Sequence, residues 1–223
     1  MTKGALKVNV EIRLEAPADY EAVENLNRDA FWNVFQPGCN EHYLVHVMRT
    51  HEDFVPELAL VAEVDGKLVG NIMYTMSTLK NDAGEEKKIL TCGPLAVHPG
   101  YQRRGIGKML MQESFERAKA LGYEAVVIMG NPENYVGSGF RACLDFKVCI
   151  ADGSFPMALL VLELKEGSLG GQRWVYSESP LFQIDAEAAE QFEKTFPARE
   201  RGYAPSQELF AIYSWAFLHP AES

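Results

Sequence analysis

The sequence predicts an α/β chain: a mixed, mostly antiparallel sheet with helices on both faces. Three observations carry that expectation. Two apolar-rich runs, residues 58–64 and 67–79, are joined by Asp65-Gly66, a hairpin signal. A glycine-bearing loop, Gln102-Arg103-Arg104-Gly105-Ile106-Gly107-Lys108, follows the strand-like Leu95-Ala96-Val97 and opens an amphipathic helical run to Leu121. The wholly apolar residues 125–129 then fit a buried strand, parallel to its predecessor across the helical crossover.

The elements follow in order. Residues 8–14 alternate apolar and polar, as a first strand does. Ala16-Pro17-Ala18-Asp19 interrupts it, and Asp19 is predicted to cap a helix carrying Val23, Leu26, Ala30 and Phe31 that ends before Pro37-Gly38. A second helix is predicted after Asn40, through Tyr43, Leu44, Val47 and Met48. In the hairpin Gly70 marks a bulge, and Asn81-Asp82-Ala83-Gly84 makes the next turn. A fourth strand over residues 88–97 is interrupted at Gly93-Pro94, because proline cannot donate to a sheet ladder. In the helix after the loop, Leu110, Met111, Ser114, Phe115, Ala118 and Leu121 share one side, and Gly122 stops it. Residues 132–137 read as a short helix with Asn131 as cap and Pro132 at its first position. Residues 143–150 and 157–164 read as two late strands.

From Lys165 the character changes. A glycine-rich loop precedes a short extended piece at Trp174-Val175-Tyr176, a helix from Asp185 that stops before Pro197, and an aromatic-rich stretch over residues 206–218. The expected organisation is one domain over residues 1–165 and a C-terminal extension over residues 166–223. So much apolar surface should pack back on the domain or on a partner, a second copy in a homodimer included.

Composition bounds the function. The net charge of −10 argues against general affinity for nucleic acid, whose binding is largely phosphate neutralisation. No apolar run reaches the length of a membrane span, and the first ten residues show no signal peptide. The four cysteines have no Cys-x-x-Cys spacing, so reduced thiols and a cytoplasmic location are expected, with no membrane partner.

The loop at 102–108 carries the chemistry. Glycines permit a tight turn, and the helix that starts there leaves its first N–H groups unpaired with roughly half a positive charge at that end. That suits a phosphate or pyrophosphate. No Gly-Lys-Ser/Thr closes the loop, and the third glycine of the dinucleotide fingerprint is missing, so neither of those sites is indicated.

The wider pattern is Leu95-Ala96-Val97-His98-Pro99, then Gln102-x-x-Gly105-x-Gly107, an amphipathic helix, an apolar strand, and Tyr135-x-x-x-Gly139-Phe140. It resembles the GNAT superfamily of acyl-coenzyme A-dependent N-acyltransferases. The resemblance implies the GNAT fold, with the cofactor between two splayed parallel strands, and transfer of an acetyl group from acetyl-CoA to a primary amine, on a small molecule, by direct attack in a ternary complex. It implies cofactor contacts from Leu95, Ala96, Val97, Gln102, Arg103, Arg104, Gly105, Ile106, Gly107, Lys108, Asn131 and Asn134, with Asn131 equally well explained as a helix cap. It implies Tyr135 as the general acid for the departing thiolate. It also makes Phe31, Trp32, Phe35, His42 and Tyr43 candidates to face the acceptor, against the alternative that aromatics fill the core. Where many family members carry a glutamate on the fourth strand, this chain reads Thr91-Cys92-Gly93. Proton removal from the amine is then expected through ordered water, Glu41 or His42. Cys92 as an acyl-carrying nucleophile is weighed against a buried structural thiol, which is favoured. His42 and His46 stand four apart, but no third ligand at readable spacing indicates a metal. Two rivals remain: the same transfer to a protein or peptide amine, and a non-catalytic acyl-coenzyme A-binding regulatory module.

Overall fold

The computed structural model describes residues 9–219. Among them are nine strands: β1 (Val10–Leu14), β2 (Leu60–Val64), β3 (Lys67–Asn81), β4 (Glu86–Val97), β5 (Ala125–Met129), β6 (Arg141–Ala142), β7 (Val148–Cys149), β8 (Leu159–Glu163) and β9 (Trp174–Ser177). The helices are α1 (Tyr20–Phe31), α2 (Glu41–Met48), α3 (Ile106–Ala120), α4 (Pro132–Tyr135), α5 (Ala186–Glu193) and α6 (Pro205–Trp215). Val8, expected in the first strand, lies outside the described residues. No described helix is long and apolar enough to cross a membrane.

The strands form one sheet in the order β1-β2-β3-β4-β5-β8-β6, with β9 on β3 and β7 on β9. All neighbours are antiparallel except β4 with β5 and β7 with β9. The mixed, mostly antiparallel sheet is therefore as the sequence predicts.

Alternation along the strands assigns the two faces. Leu60, Ala62 and Val64 of β2, with Val126 and Ile128 of β5, pack beneath Ile106, Leu110, Met111, Phe115 and Ala118 of α3. Val61 of β2 and Met73 of β3 turn the other way, onto Val23 of α1 and Leu44, Val45 and Met48 of α2. A third cluster, with Leu79, Ile89, Val127 and Trp174, fills the end of the sheet beyond those helices. Gly70 lets α3 sit close on the sheet, since a Cβ there would lie 3.0 Å from Leu110 Cδ1. Leu121, expected on the buried side of α3, is half exposed because the helix has ended.

One expectation changes. Residues 143–150 do not form one strand: Cys143–Phe146 is a 3-10 turn, Lys147 is left-handed at φ 54°, and only Val148–Cys149 is extended. The cause is local, because the turn closes on itself with Lys147 N–H donating to Leu144 O at 3.0 Å. Beyond residue 165 the chain returns to the same sheet. β9 pairs with β3 over Thr78↔Ser177 to Asn81↔Trp174, and the fully buried Trp174 belongs to the core.

The chain after β9 is clamped to α1 and α2. Arg28 donates from Nε and Nη2 to the two Glu193 carboxylate oxygens, at 3.0 and 2.6 Å, and from Nη2 to Pro197 O at 2.8 Å. His42 Nε2 lies 3.0 Å from the same carboxylate. All three side chains are almost fully shielded from solvent. Removing one partner of such a pair leaves an uncompensated buried charge. Arg28→Ala is therefore expected to cost about 3–5 kcal/mol, read as a lowered urea midpoint. Arg28→Ala with Glu193→Leu should recover much of that loss, because the stranded carboxylate goes with it.

Candidate active site

The site is made by a strand that loses one neighbour. β4 and β5 are paired only at Leu90↔Val126 and Thr91↔Val127. On the β3 side, Ile72 faces Leu95 and Tyr74 faces Cys92, so Gly93 and Pro94 together oppose the single residue Met73. This bulge re-aims β4. Leu95, Ala96 and Val97 keep their β3 partners, but β5 no longer runs beside them. The gap opens into a cleft of about 870 Å³, lined by those three residues, the loop at 102–108, α4, and the α1–α2 connection.

At one end stands the start of α3. Gly105 precedes it at φ 85°, a conformation that side-chain-bearing residues rarely adopt, and its carbonyl accepts the Met109 N–H at 3.0 Å. The N–H groups of the first turn, at Ile106, Gly107 and Lys108, therefore have no partner within the helix. Gln102, Arg103, Gly105, Ile106, Gly107 and Lys108 all line the cleft. Gln102 Nε2 also donates to Val97 O at 3.0 Å, tying the loop to the open strand. Arg104 is turned away: its Nη2 donates to Gly100 O at 2.9 Å, and its guanidinium sits 5.2 Å from the Tyr101 ring centre. It does not line the cleft.

α4 forms the opposite wall. Asn131 caps it, accepting the Glu133 N–H at 2.9 Å, and Asn131, Glu133, Asn134 and Tyr135 all line the cleft. The capping role expected for Asn131 coexists with a place in the cleft wall. Tyr135 is partly buried, its ring 6.0 Å from that of Phe140. Burial raises its pKa above the ordinary value, with the nearby Cys92 adding to the effect, so the phenol stays protonated at neutral pH. Its position depends on Gly130, where a Cβ would lie 2.6 Å from Tyr135 Cε2. Cys92 is buried, and burial pushes its thiol up to about 12. A thiol so held is a poor nucleophile, which favours the structural reading.

The remaining wall combines two distant segments. Phe31, Trp32 and Phe35 line the cleft together with Ser206, Leu209 and Phe210 of α6. The sequence showed that 206–218 is aromatic-rich but carried no pattern assigning it to the site. α6 is pinned at both ends. Near its start, Ser206 Oγ donates to Val34 O at 2.8 Å, Gln207 Nε2 donates to Asn33 O at 3.0 Å, and Phe210 lies 4.4 Å from Phe35 between ring centres. At its far end, Met157 N–H donates to Ala216 O at 2.8 Å and Leu218 N–H donates to Phe155 O at 2.8 Å. The helix thus bridges from the α1–α2 connection to the segment before β8.

His42 and Tyr43 are elsewhere. His42 is packed 5.4 Å from Phe192 and 5.2 Å from Phe196 between ring centres, and Tyr43 lies 5.5 Å from Phe192. Burial depresses the His42 pKa, more than Glu193 raises it. Glu41 Oε2 accepts the Asn40 N–H at 3.0 Å. Neither Glu41 nor His42 lines the cleft, so neither is placed to take the amine's proton. His46 is exposed and sits 2.9 Å from Glu24, and among the described residues no three His, Cys, Asp or Glu are grouped as a metal site.

Residues 27–135 match the Acetyltransferase (GNAT) family. The uncharacterized N-acetyltransferase YhbS of Escherichia coli K12 is 32% identical over 131 residues, covering 58% of this chain and 72% of YhbS. The chain belongs to the GNAT acetyltransferase family. A second relative, the uncharacterized N-acetyltransferase YjhQ of the same strain, is 33% identical over 45% of this chain, and the match spans only 55% of YjhQ. The crystal structure of Escherichia coli YhbS in complex with CoA superposes with a TM-score of 0.69 at 25% identity, covering 82% of this chain and 96% of that one. A GNAT family acetyltransferase from Brucella melitensis in complex with acetyl-CoA gives 0.61 at 24% identity, over 78% and 98% of the two chains, which supports the GNAT fold.

The contact between Gly130 and Tyr135 is directly testable. Gly130→Ala should destabilise the protein by about 1–3 kcal/mol through overpacking, measured by urea denaturation. Tyr135→Ala on that background should recover part of the loss, since it removes the ring the new methyl meets.

Proposed function

We propose that the protein transfers an acetyl group from acetyl-CoA to a primary amine of a small molecule, by direct attack in a ternary complex. The observation that carries this reading is the parting of β4 from β5 beside an open helix start, with a protonated phenol across the gap. The unpaired N–H groups of α3, with Arg103 and Lys108, suit the pyrophosphate of coenzyme A. The free edge of Leu95, Ala96 and Val97 suits the pantetheine amides, which join it as a strand would.

The amine nitrogen attacks the thioester carbonyl, and backbone N–H groups of the open β4 edge stabilise the oxyanion. Collapse breaks the C–S bond. The thiolate takes the Tyr135 proton, and the phenolate regains one from the nascent ammonium or from water. The carboxylates lining the cleft are Asp29 and Glu133, and Asp29 is held 3.0 Å from Arg199. That leaves Glu133 and water at the cleft mouth to take the amine's proton. The bridge made by α6 favours a small acceptor over a polypeptide, since Ser206, Leu209 and Phe210 add a further wall to the cleft.

Calorimetric titration with acetyl-CoA should show saturable binding to the wild type and none to Gly105→Glu, which places a side chain and a negative charge at the helix start. Absence of binding to the wild type would remove this reading. Tyr135→Phe should lower kcat by roughly 10²–10⁴-fold while leaving acetyl-CoA binding intact. Cys92→Ala should retain turnover, because no covalent acyl-enzyme is formed.

A further inference from the structure

The acceptor end of the cleft has a definite chemical character. Phe31, Phe35 and Phe210 form a continuous run of rings, with centres 5.7 and 4.4 Å apart, and Val34 and Leu209 extend it. The polar groups on this wall are already engaged, and the cleft's other carboxylate, Glu133, stands on the α4 wall. Ser206 Oγ donates to Val34 O, and Gln207 Nε2 to Asn33 O and Gly202 O. Asp29 faces Arg199 at 3.0 Å, and the Trp32 indole N–H donates to Glu200 O at 2.8 Å. What this wall offers a ligand is aromatic and aliphatic surface. A polyamine or an amino sugar needs several free carboxylates or hydrogen-bonding groups, and this wall has already used its own.

We propose that the acceptor is a primary amine carried on an aromatic or compact apolar body, and that Phe210 of α6 sets which bodies fit. The proposal rests on the acetyl-transfer reading and narrows it. An apolar body is recognised by burial against the rings, and its orientation by offset or edge-on ring packing. The amine then projects toward the open β4 edge, where the acetyl carbonyl would lie. Phe210 belongs to a helix far along the chain from residues 27–135, the segment shared with the family. Specificity is thus set by a part of the chain that the common acetyl-transfer machinery does not include.

The test uses the full-length protein, acetyl-CoA, and a panel of 2-phenylethylamine, butylamine, spermidine and a lysine-containing peptide, with CoA thiol release as the readout. The expected order of kcat/KM places 2-phenylethylamine first, with spermidine and the peptide lower by roughly tenfold or more. Phe210→Ala should raise KM for 2-phenylethylamine roughly tenfold with KM for acetyl-CoA unchanged. Phe210→Trp keeps the helix anchored on Phe35 and fills the pocket further. It should depress 2-phenylethylamine turnover more than butylamine turnover. Preference for spermidine or the peptide, no turnover of any aromatic amine by a wild type that binds acetyl-CoA, or Phe210 variants with unaltered amine KM would each overturn the proposal. Failure of the wild type to bind acetyl-CoA would instead remove the acetyl-transfer reading on which it rests.

Discussion

The structure depends on where two parallel strands stop pairing. β4 and β5 share two residue pairs and then separate at a bulge that holds a proline with no N–H to give. A parallel ladder that ends in mid-sheet leaves backbone donors and acceptors without partners, and such groups are costly unless solvated or bound. The cleft supplies both conditions. It leaves Leu95 and Val97 of the open edge partly exposed, and it gives a strand-like ligand somewhere to pair.

Every other feature of the site is placed relative to that gap. α3 starts where β4 ends, so its unpaired N–H groups point at the same space. Gly70 lets α3 lie close on the sheet, and Gly130 lets the Tyr135 ring fold back at the end of β5. Tyr74 and Ser114 join β3 to α3 through a buried hydroxyl pair at 2.7 Å. A second buried chain of hydroxyls, Ser77 to Thr91 at 2.6 Å and Thr91 to Tyr176 at 2.7 Å, ties β3 and β4 to β9 just where the parallel pairing ends. These buried hydroxyl pairs brace the strands from which the open region departs.

The C-terminal third is built into this arrangement. β9 completes the edge of β3 left free beyond β2, the Arg28–Glu193 clamp holds α5 on α1 and α2, and α6 adds a wall to the cleft. Arg28 also lies 4.6 Å from the centre of the Trp32 ring, so the clamp that holds the extension also supports one wall of the cleft. Outer residues of α6, among them Ile212 and Trp215, remain exposed.

The sequence alone determined the sheet's hairpin, the crossover helix, the glycine loop and the cap of α4. Each is written in contiguous residues: Asp65-Gly66, the apolar spacing of α3, Gly105 before Ile106, and Asn131-Pro132. Local backbone preferences and side-chain periodicity decide such features over a few residues. Only the tertiary structure decided that β9 enters the main sheet, that His42 and Tyr43 face Phe192 rather than the cleft, that Arg104 turns onto Tyr101, and that Phe210 meets Phe35. Those outcomes depend on contacts between segments far apart in the chain. A run of aromatic residues announces that it will be buried, but not against what, because burial is non-directional and its partner is chosen by the packing of the whole fold.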